Sequence, residues 1–183
     1  MDIDEAIRGR RSIREFHGRE IPELIVEQIL DLARYAPSSM NGQPWYFMVV
    51  KRDETKRRLA EIKNEHCPTE KRMYRADFIQ NAPAIIIVCV DKDKSYDREI
   101  ENGVLAAANI LLGAHSKGLG SVYMSAYKTG DPMLSREIKD LLGIPEHIDP
   151  ISIIPLGYPD ETPEPRNMRA LHGMVSYEIF GGR

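Results

Sequence analysis

Apolar positions recur at helical spacing twice near the start of the chain and gather into compact runs further on. Residues 2–9 carry a short amphipathic pattern. Residues 23–36 place Leu24, Ile25, Ile29, Leu32, Ala33 and Ala36 along one side, with Pro22 at the helix start and a stop before Pro37. The runs YFMVVK at 46–51 and AIIIVCV at 84–90 predict strands, and the second is apolar throughout, as a strand covered on both faces must be. Between them, 53–65 reads as a charged surface helix, while 67–82 is polar, basic and irregular, with no boundary to place. Residues 99–117 form the most apolar helix: from Val104 to Leu112 only Asn109 is polar, which predicts enclosure on every side, with a partner subunit able to supply part of the cover. A strand at 120–126, a helix at 132–142 and a strand near 151–157 follow. Pro155, Pro159, Pro163 and Pro165 then hold the tail extended, either as an arm across a neighbouring subunit or as a surface tail.

The alternation of helical and strand-like segments, without repeats or low-complexity tracts, argues for one mixed domain over 1–183, with 158–183 as an extended arm. Its 183 residues, 42% hydrophobic and 29% charged, suffice for one sizeable core. A net charge of -3 and a pI near 6.0 give no global attraction to nucleic acid or to an anionic membrane, so neither is expected as a partner. No basic segment leads into a long apolar run, and no run approaches the roughly 20 residues of a membrane span. Cys67 and Cys89 lie in unlike contexts and read as free thiols, which together with these features points to the cytoplasm.

Three segments can carry chemistry. Arg8, Arg10, Arg11 and Arg14 fall within seven residues around Ser12. Guanidinium groups so close repel one another unless an anion gathers them, and their planar forks match phosphate oxygens; a solvated basic face is the plainer alternative. APSSMNGQPW at 36–45 offers uncharged donors and acceptors suited to a heteroaromatic ring edge, with Trp45 as an anchor, although such residues also make ordinary turns. KGLGSVYMSA at 117–126 puts two glycines before a strand, where backbone can approach a ligand; the order is wrong for a dinucleotide fingerprint, and a helix cap explains the glycines too. His17, His66, His115, His147 and His172 never fall at metal-ligand spacing, so no metal is expected, and no phosphate loop or nucleophile elbow is present.

Taken in order, RRSIREF at 10–16, the segment from Ala36 to Val50, NAPAIIIV, the long apolar helix ending in GLG, and LGYPDETPEPR closely resemble the nitroreductase family of flavoproteins. The resemblance spans nearly the whole chain. It implies an α+β fold with a central, mainly antiparallel sheet flanked by helices, in an intertwined homodimer with FMN at the subunit interface. It further implies that Arg10, Arg11 and Ser12 meet the FMN phosphate and ribityl chain, and that Arg14 lies near the pyrimidine edge, where a cation favours the reduced flavin. Pro37, Ser38, Ser39 and Asn41 would reach the same flavin from the other subunit, and Tyr123, Met124 and Ser125 would pass beside the ring. Either Arg166 or Arg169 would return to the phosphate, with Arg169 slightly preferred. Residues 64–80 do not align cleanly with the family, leaving Arg72 and Arg75 as weaker candidates there. The activity implied is transfer of hydride from NADH or NADPH through flavin N5 to a small-molecule acceptor such as a nitroaromatic, a quinone or free flavin, by a ping-pong mechanism with no catalytic side chain. The alternatives are a non-catalytic flavin or nucleotide binder, and a relative that uses reduced flavin for dehalogenation or flavin breakdown.

Overall fold

A run of β-branched residues too apolar to face water needs cover on both sides, and the fold is built around one such run. A computed structural model of the chain describes residues 1–67 and 75–182. In it, Ala84–Asp91 forms strand β3, buried at every position. β3 pairs antiparallel with β2 (Trp45–Val50) on one side and with the twelve-residue β6 (Ile148–Pro159) on the other. The opposite flank of β6 carries three short antiparallel strands, β1 (Phe16–His17), β4 (Gly120–Ser121) and β5 (Met124–Ser125).

Side chains alternate across this sheet with period two. Ala84, Ile86 and Val88 of β3, with Ile154 and Leu156 of β6, pack under α2 (Glu23–Ala33) and α4 (Glu99–Ser116). Ile85, Ile87 and Cys89, with Ile148 and Ile153, pack under α3 (Asp53–Glu65) and α5 (Met133–Leu142). The first helix, α1 (Ile3–Gly9), is fixed by a reciprocal cap in which Asp2 Oδ1 accepts the Glu5 N–H at 2.8 Å and Glu5 Oε2 accepts the Asp2 N–H at 2.9 Å. The fold class is the α+β antiparallel-sheet arrangement expected from sequence.

Several boundaries differ from the sequence reading. α2 stops at Ala33, and two turn residues precede Ala36. The strand expected at 120–126 is two pieces, interrupted at Val122 and Tyr123. The last strand runs well past 151–157 at both ends, so Pro155 and Pro159 belong to the sheet. Pro155, which cannot donate to a ladder, falls at the break between β4 and β5 on that flank. Nor is α4 enclosed on every side: Ile100, Val104 and Leu105 are exposed on the single chain. Residues 68–74, and with them Arg72, lie outside the described residues. Among the described residues no helix is long and apolar enough to cross a membrane.

β4 positions the arginine segment. Ile13 N–H donates to the Ser121 carbonyl at 3.1 Å, Ser12 bridges Ser121, and a Cβ added at Gly120 would sit 2.7 Å from Ile13 Cβ. Since Ile13 is buried and the close atom is at the root of its side chain, Gly120→Ala is expected to destabilise the fold by about 1–3 kcal/mol. The measurement is a lowered urea midpoint with unchanged slope, against little change for Gly18→Ala, where nothing lies within 4 Å.

Candidate functional site

The arginine segment begins where α1 stops. Arg10 N–H still donates to Ala6 O at 3.1 Å, but its backbone has turned extended, and the chain then runs beside β4. Pairing of Phe16 with Pro159 brings the tail back along this segment. Asp160 N–H donates to Glu15 O at 2.9 Å, and the Glu161 carboxylate accepts the N–H groups of Arg14 and, at 3.1 Å, Glu15. Next, the Arg11 guanidinium donates to the Glu164 carbonyl and the Arg166 guanidinium to the Arg10 carbonyl.

Arg10, Arg11 and Arg166 are thereby gathered, and among the described residues none of the three has a carboxylate partner. Burial, then the charges of Arg166 and Arg11, push the Arg10 pKa below its ordinary value. Cations drawn together without a counter-charge among the described residues make a candidate anion site. The tail residue that joins them is Arg166; Arg169 is exposed and makes no contact with the cluster. The Arg14 side chain is exposed beside it.

Residues 121–125 adjoin this cluster through the Ser12–Ser121 bridge. Tyr123, Met124 and Ser125 are half-buried. Burial, reinforced by the Tyr127 phenol, pushes the Tyr123 phenol from 10.0 up to about 12. The Ser125 carbonyl accepts a hydrogen bond at 2.8 Å from Lys63 Nζ, which reaches it from α3.

The loop at 36–45 is held by a residue that sequence reasoning missed. Asn102, on the second turn of α4 and 1% exposed, accepts the Ser39 N–H at 3.0 Å through Oδ1 and donates through Nδ2 to Ser95 O at 3.1 Å. Its carbonyl accepts the Trp45 indole N–H at 2.9 Å, so Trp45 does anchor the loop. The signal was present as a polar side chain just before the apolar run of the helix. Met40, Asn41 and Gln43 all have positive φ, and Met40 is 81% exposed. Pro37 and Asn41 are exposed and Ser38 and Ser39 half-buried, with Ser38 Oγ accepting the Gln43 N–H at 3.0 Å.

These two groups are apart on one chain. Asn102 holds the loop near the start of α4, whereas Gly9, just before Arg10, lies against His115 at its end. Thirteen residues of helix separate them, about 20 Å at 1.5 Å per residue. The structure therefore unites Arg10, Arg11, Ser12 and Arg166 with the strand at 121–125, and leaves Pro37, Ser38, Ser39 and Asn41 at the far end. Arg75 is committed elsewhere, to the Asp77 carboxylate, with Nη2 at 3.0 Å from Oδ1.

Comparison with known proteins places this geometry. Residues 7–158 match the family model described as the Nitroreductase family. The chain is 40% identical over 170 residues to a Methanothermobacter thermautotrophicus protein named "Putative NADH dehydrogenase/NAD(P)H nitroreductase", covering 92% of this chain and 83% of that one. It is 31% identical over 186 residues to a Thermotoga neapolitana iodotyrosine deiodinase, covering 93% and 95%. An FMN-dependent nitroreductase from Clostridium difficile R20291 superposes with a TM-score of 0.84 at 29% identity, covering 97% of this chain and all of that one.

Asn102→Ala strands the Ser39 N–H and removes the side-chain donor to the buried Ser95 carbonyl, which keeps the Arg98 N–H at 3.1 Å, and is expected to cost about 1–3 kcal/mol in a denaturant titration, with Trp45 fluorescence reporting a loosened loop. Tyr123 gives a pH dependence. The unfolded phenol loses its proton first, so its contribution to stability is complete below pH 10 and is lost as pH rises through about 12. Tyr123→Phe should make that alkaline fall shallower; an unchanged slope would place the perturbed phenol elsewhere.

Proposed function

The chain belongs to the nitroreductase family, and we propose that it is an FMN-dependent oxidoreductase taking electrons from NADH or NADPH and delivering them to a small oxidised acceptor, a nitroaromatic, quinone or free flavin. The observation that carries this reading is the cluster of Arg10, Arg11 and Arg166, without carboxylate partners among the described residues and with Arg10 partly buried, beside the half-buried segment 123–125. That donor set fits a phosphate with an aromatic ring next to it. Bound there, FMN would supply the two-electron chemistry in ping-pong fashion through N5, so no acid, base or nucleophile is required of the protein.

In this reading Arg10, Arg11 and Arg166 hold the phosphate, with Ser12 on the ribityl chain, and Arg166 takes the role for which the sequence slightly preferred Arg169. Arg14 supplies exposed positive charge near the ring. Tyr123, Met124 and Ser125 line the face of the site that the sheet keeps dry.

The loop residues Pro37, Ser38, Ser39 and Asn41 complete the site from a second subunit. Two features support this arrangement. The loop lies about 20 Å of helix away from the arginines of its own chain, and α4 leaves Ile100, Val104 and Leu105 uncovered along the way. The backbone of Met40, Asn41 and Gln43 is held in the left-handed region, at a cost on the order of 1 kcal/mol or more per residue. Such a cost with an exposed Met40 at the tip suits a loop shaped for a neighbour. The similarity to a deiodinase supports a second reading, in which electrons from the reduced flavin serve reductive dehalogenation.

An anaerobic visible spectrum of the FMN-loaded protein, taken before and after NADH and then NADPH, tests the proposal. Bleaching by either nucleotide is the expected outcome; a protein that cannot be loaded with FMN would overturn it. Loss of iodide from an iodinated tyrosine, measured in the same reduced sample, selects the second reading. Arg10→Ala or Arg166→Ala should weaken FMN binding by roughly 1.5–3 kcal/mol, the scale of a charge-assisted hydrogen bond, while Arg169→Ala leaves it nearly unchanged.

A further inference from the structure

Lys63 stands apart among the cations of this molecule. It lies on α3, largely removed from water, and its ammonium reaches the Ser125 carbonyl at 2.8 Å. Among the described residues no carboxylate lies within salt-bridge distance of it. The acids nearest in sequence and packing are committed to others: Glu137 meets His66 Nε2 at 3.0 Å, and Asp77 takes Arg75 and, at 2.7 Å, Asn64 Nδ2. Burial lowers the Lys63 pKa, and the Cys67 thiol partly opposes this. A long ammonium side chain placed this way loses hydration and rotamer freedom, and a carbonyl returns only part of that loss.

What it holds explains the placement. β5 is two residues long, paired to β6 through Met124 with Ile153 and Ser125 with Ser152, and beyond it the Ala126 N–H donates to Ile151 O at 2.9 Å. The Ser152 hydroxyl is fully buried without a partner, so it adds no tie between the strands. Lys63 fastens β5 from the α3 side, on the face away from the arginine segment's bridge at Ser121.

We propose that Lys63 is a positioning residue for the flavin: tied to Ser125, it helps keep β5 in place and holds a positive charge, without a carboxylate partner among the described residues, behind the strand that flanks the ring, favouring the reduced cofactor. This rests on the reading that FMN lies against residues 123–125. Its charge acts through protein and not through solvent, so its influence resists salt, whereas that of the exposed Arg14 is screened over about 8–10 Å at ordinary ionic strength.

The test uses the FMN-loaded protein and three variants. Lys63→Gln keeps a hydrogen-bond donor without charge, Lys63→Met removes both, and Lys63→Arg keeps both. The reduction potential of bound FMN is measured by anaerobic equilibration with a reference dye at low and high salt, together with the melting temperature. Lys63→Gln and Lys63→Met should weaken reduced FMN relative to oxidised FMN about tenfold, a drop of about 30 mV for the two-electron couple, at both salt concentrations. Lys63→Arg should stay near the wild-type potential. Variants that bind FMN with an unchanged potential, or that weaken both redox states equally, would overturn the proposal and leave Lys63 a structural tie. If Lys63→Met fails to fold, the comparison of Gln with Arg decides alone. Wild-type protein that binds no FMN would sink the reading of the site itself, an outcome distinct from an unmoved potential.

Discussion

The antiparallel pairing of β3 with β6 is the constraint on which the other placements rest. β3 can exist only where both its faces are covered, and β6 supplies one edge while two helical layers supply the faces. The far edge of β6 then becomes the mounting for β1, β4 and β5. Through β4 it fixes Ser12 and Ile13, and through β1 it turns the tail back along residues 10–15. Arg10 and Arg166, 156 residues apart in sequence, meet because both ends of the chain are tied to one strand.

α4 is the second determinant. Its small buried side chains, Ala106, Ala107 and Ala114, let it lie close on the sheet, and Gly103 packs where a Cβ would fall 2.7 Å from Ile151. Being straight and eighteen residues long, it keeps the loop held by Asn102 away from the arginines near His115. The helix whose apolarity suggested full enclosure is covered by the sheet and by α2 and α1, and the exposed stripe at Ile100, Val104 and Leu105 gives the proposed second subunit a surface to cover.

Charge is distributed with the same economy. On α3, Lys56 and Arg58 each pair with an acid three residues away, and ahead of α4 Arg98 approaches Glu101; exposed pairs of this kind contribute little. Of the cations without an ion pair among the described residues, four lie beside β4 and β5. Arg10, Arg11 and Arg166 form the candidate anion site there, and Lys63, partly buried, reaches in from α3.

The sequence by itself determined the elements and the chemistry. The seven-residue apolar run at 84–90 predicted an interior strand, period-two and period-3.6 patterns distinguished β3 from α2 and α4, and the ordered motifs from RRSIREF to LGYPDETPEPR carried the family resemblance. Those are local or additive properties, readable without knowing what touches what. Only the tertiary structure decided that Arg166 and not Arg169 joins Arg10, because the extended tail can set either residue there and the pairing of Asp160 and Glu161 with Arg14 and Glu15 fixes its register. Equally, the break at Val122 and Tyr123 depends on how two short strands meet β6, and the roles of Asn102 and Lys63 depend on side chains reaching across 63 and 62 residues of chain. Such long-range hydrogen bonds leave no periodic trace, since one asparagine or lysine on a helix looks the same whether it meets water or a buried carbonyl.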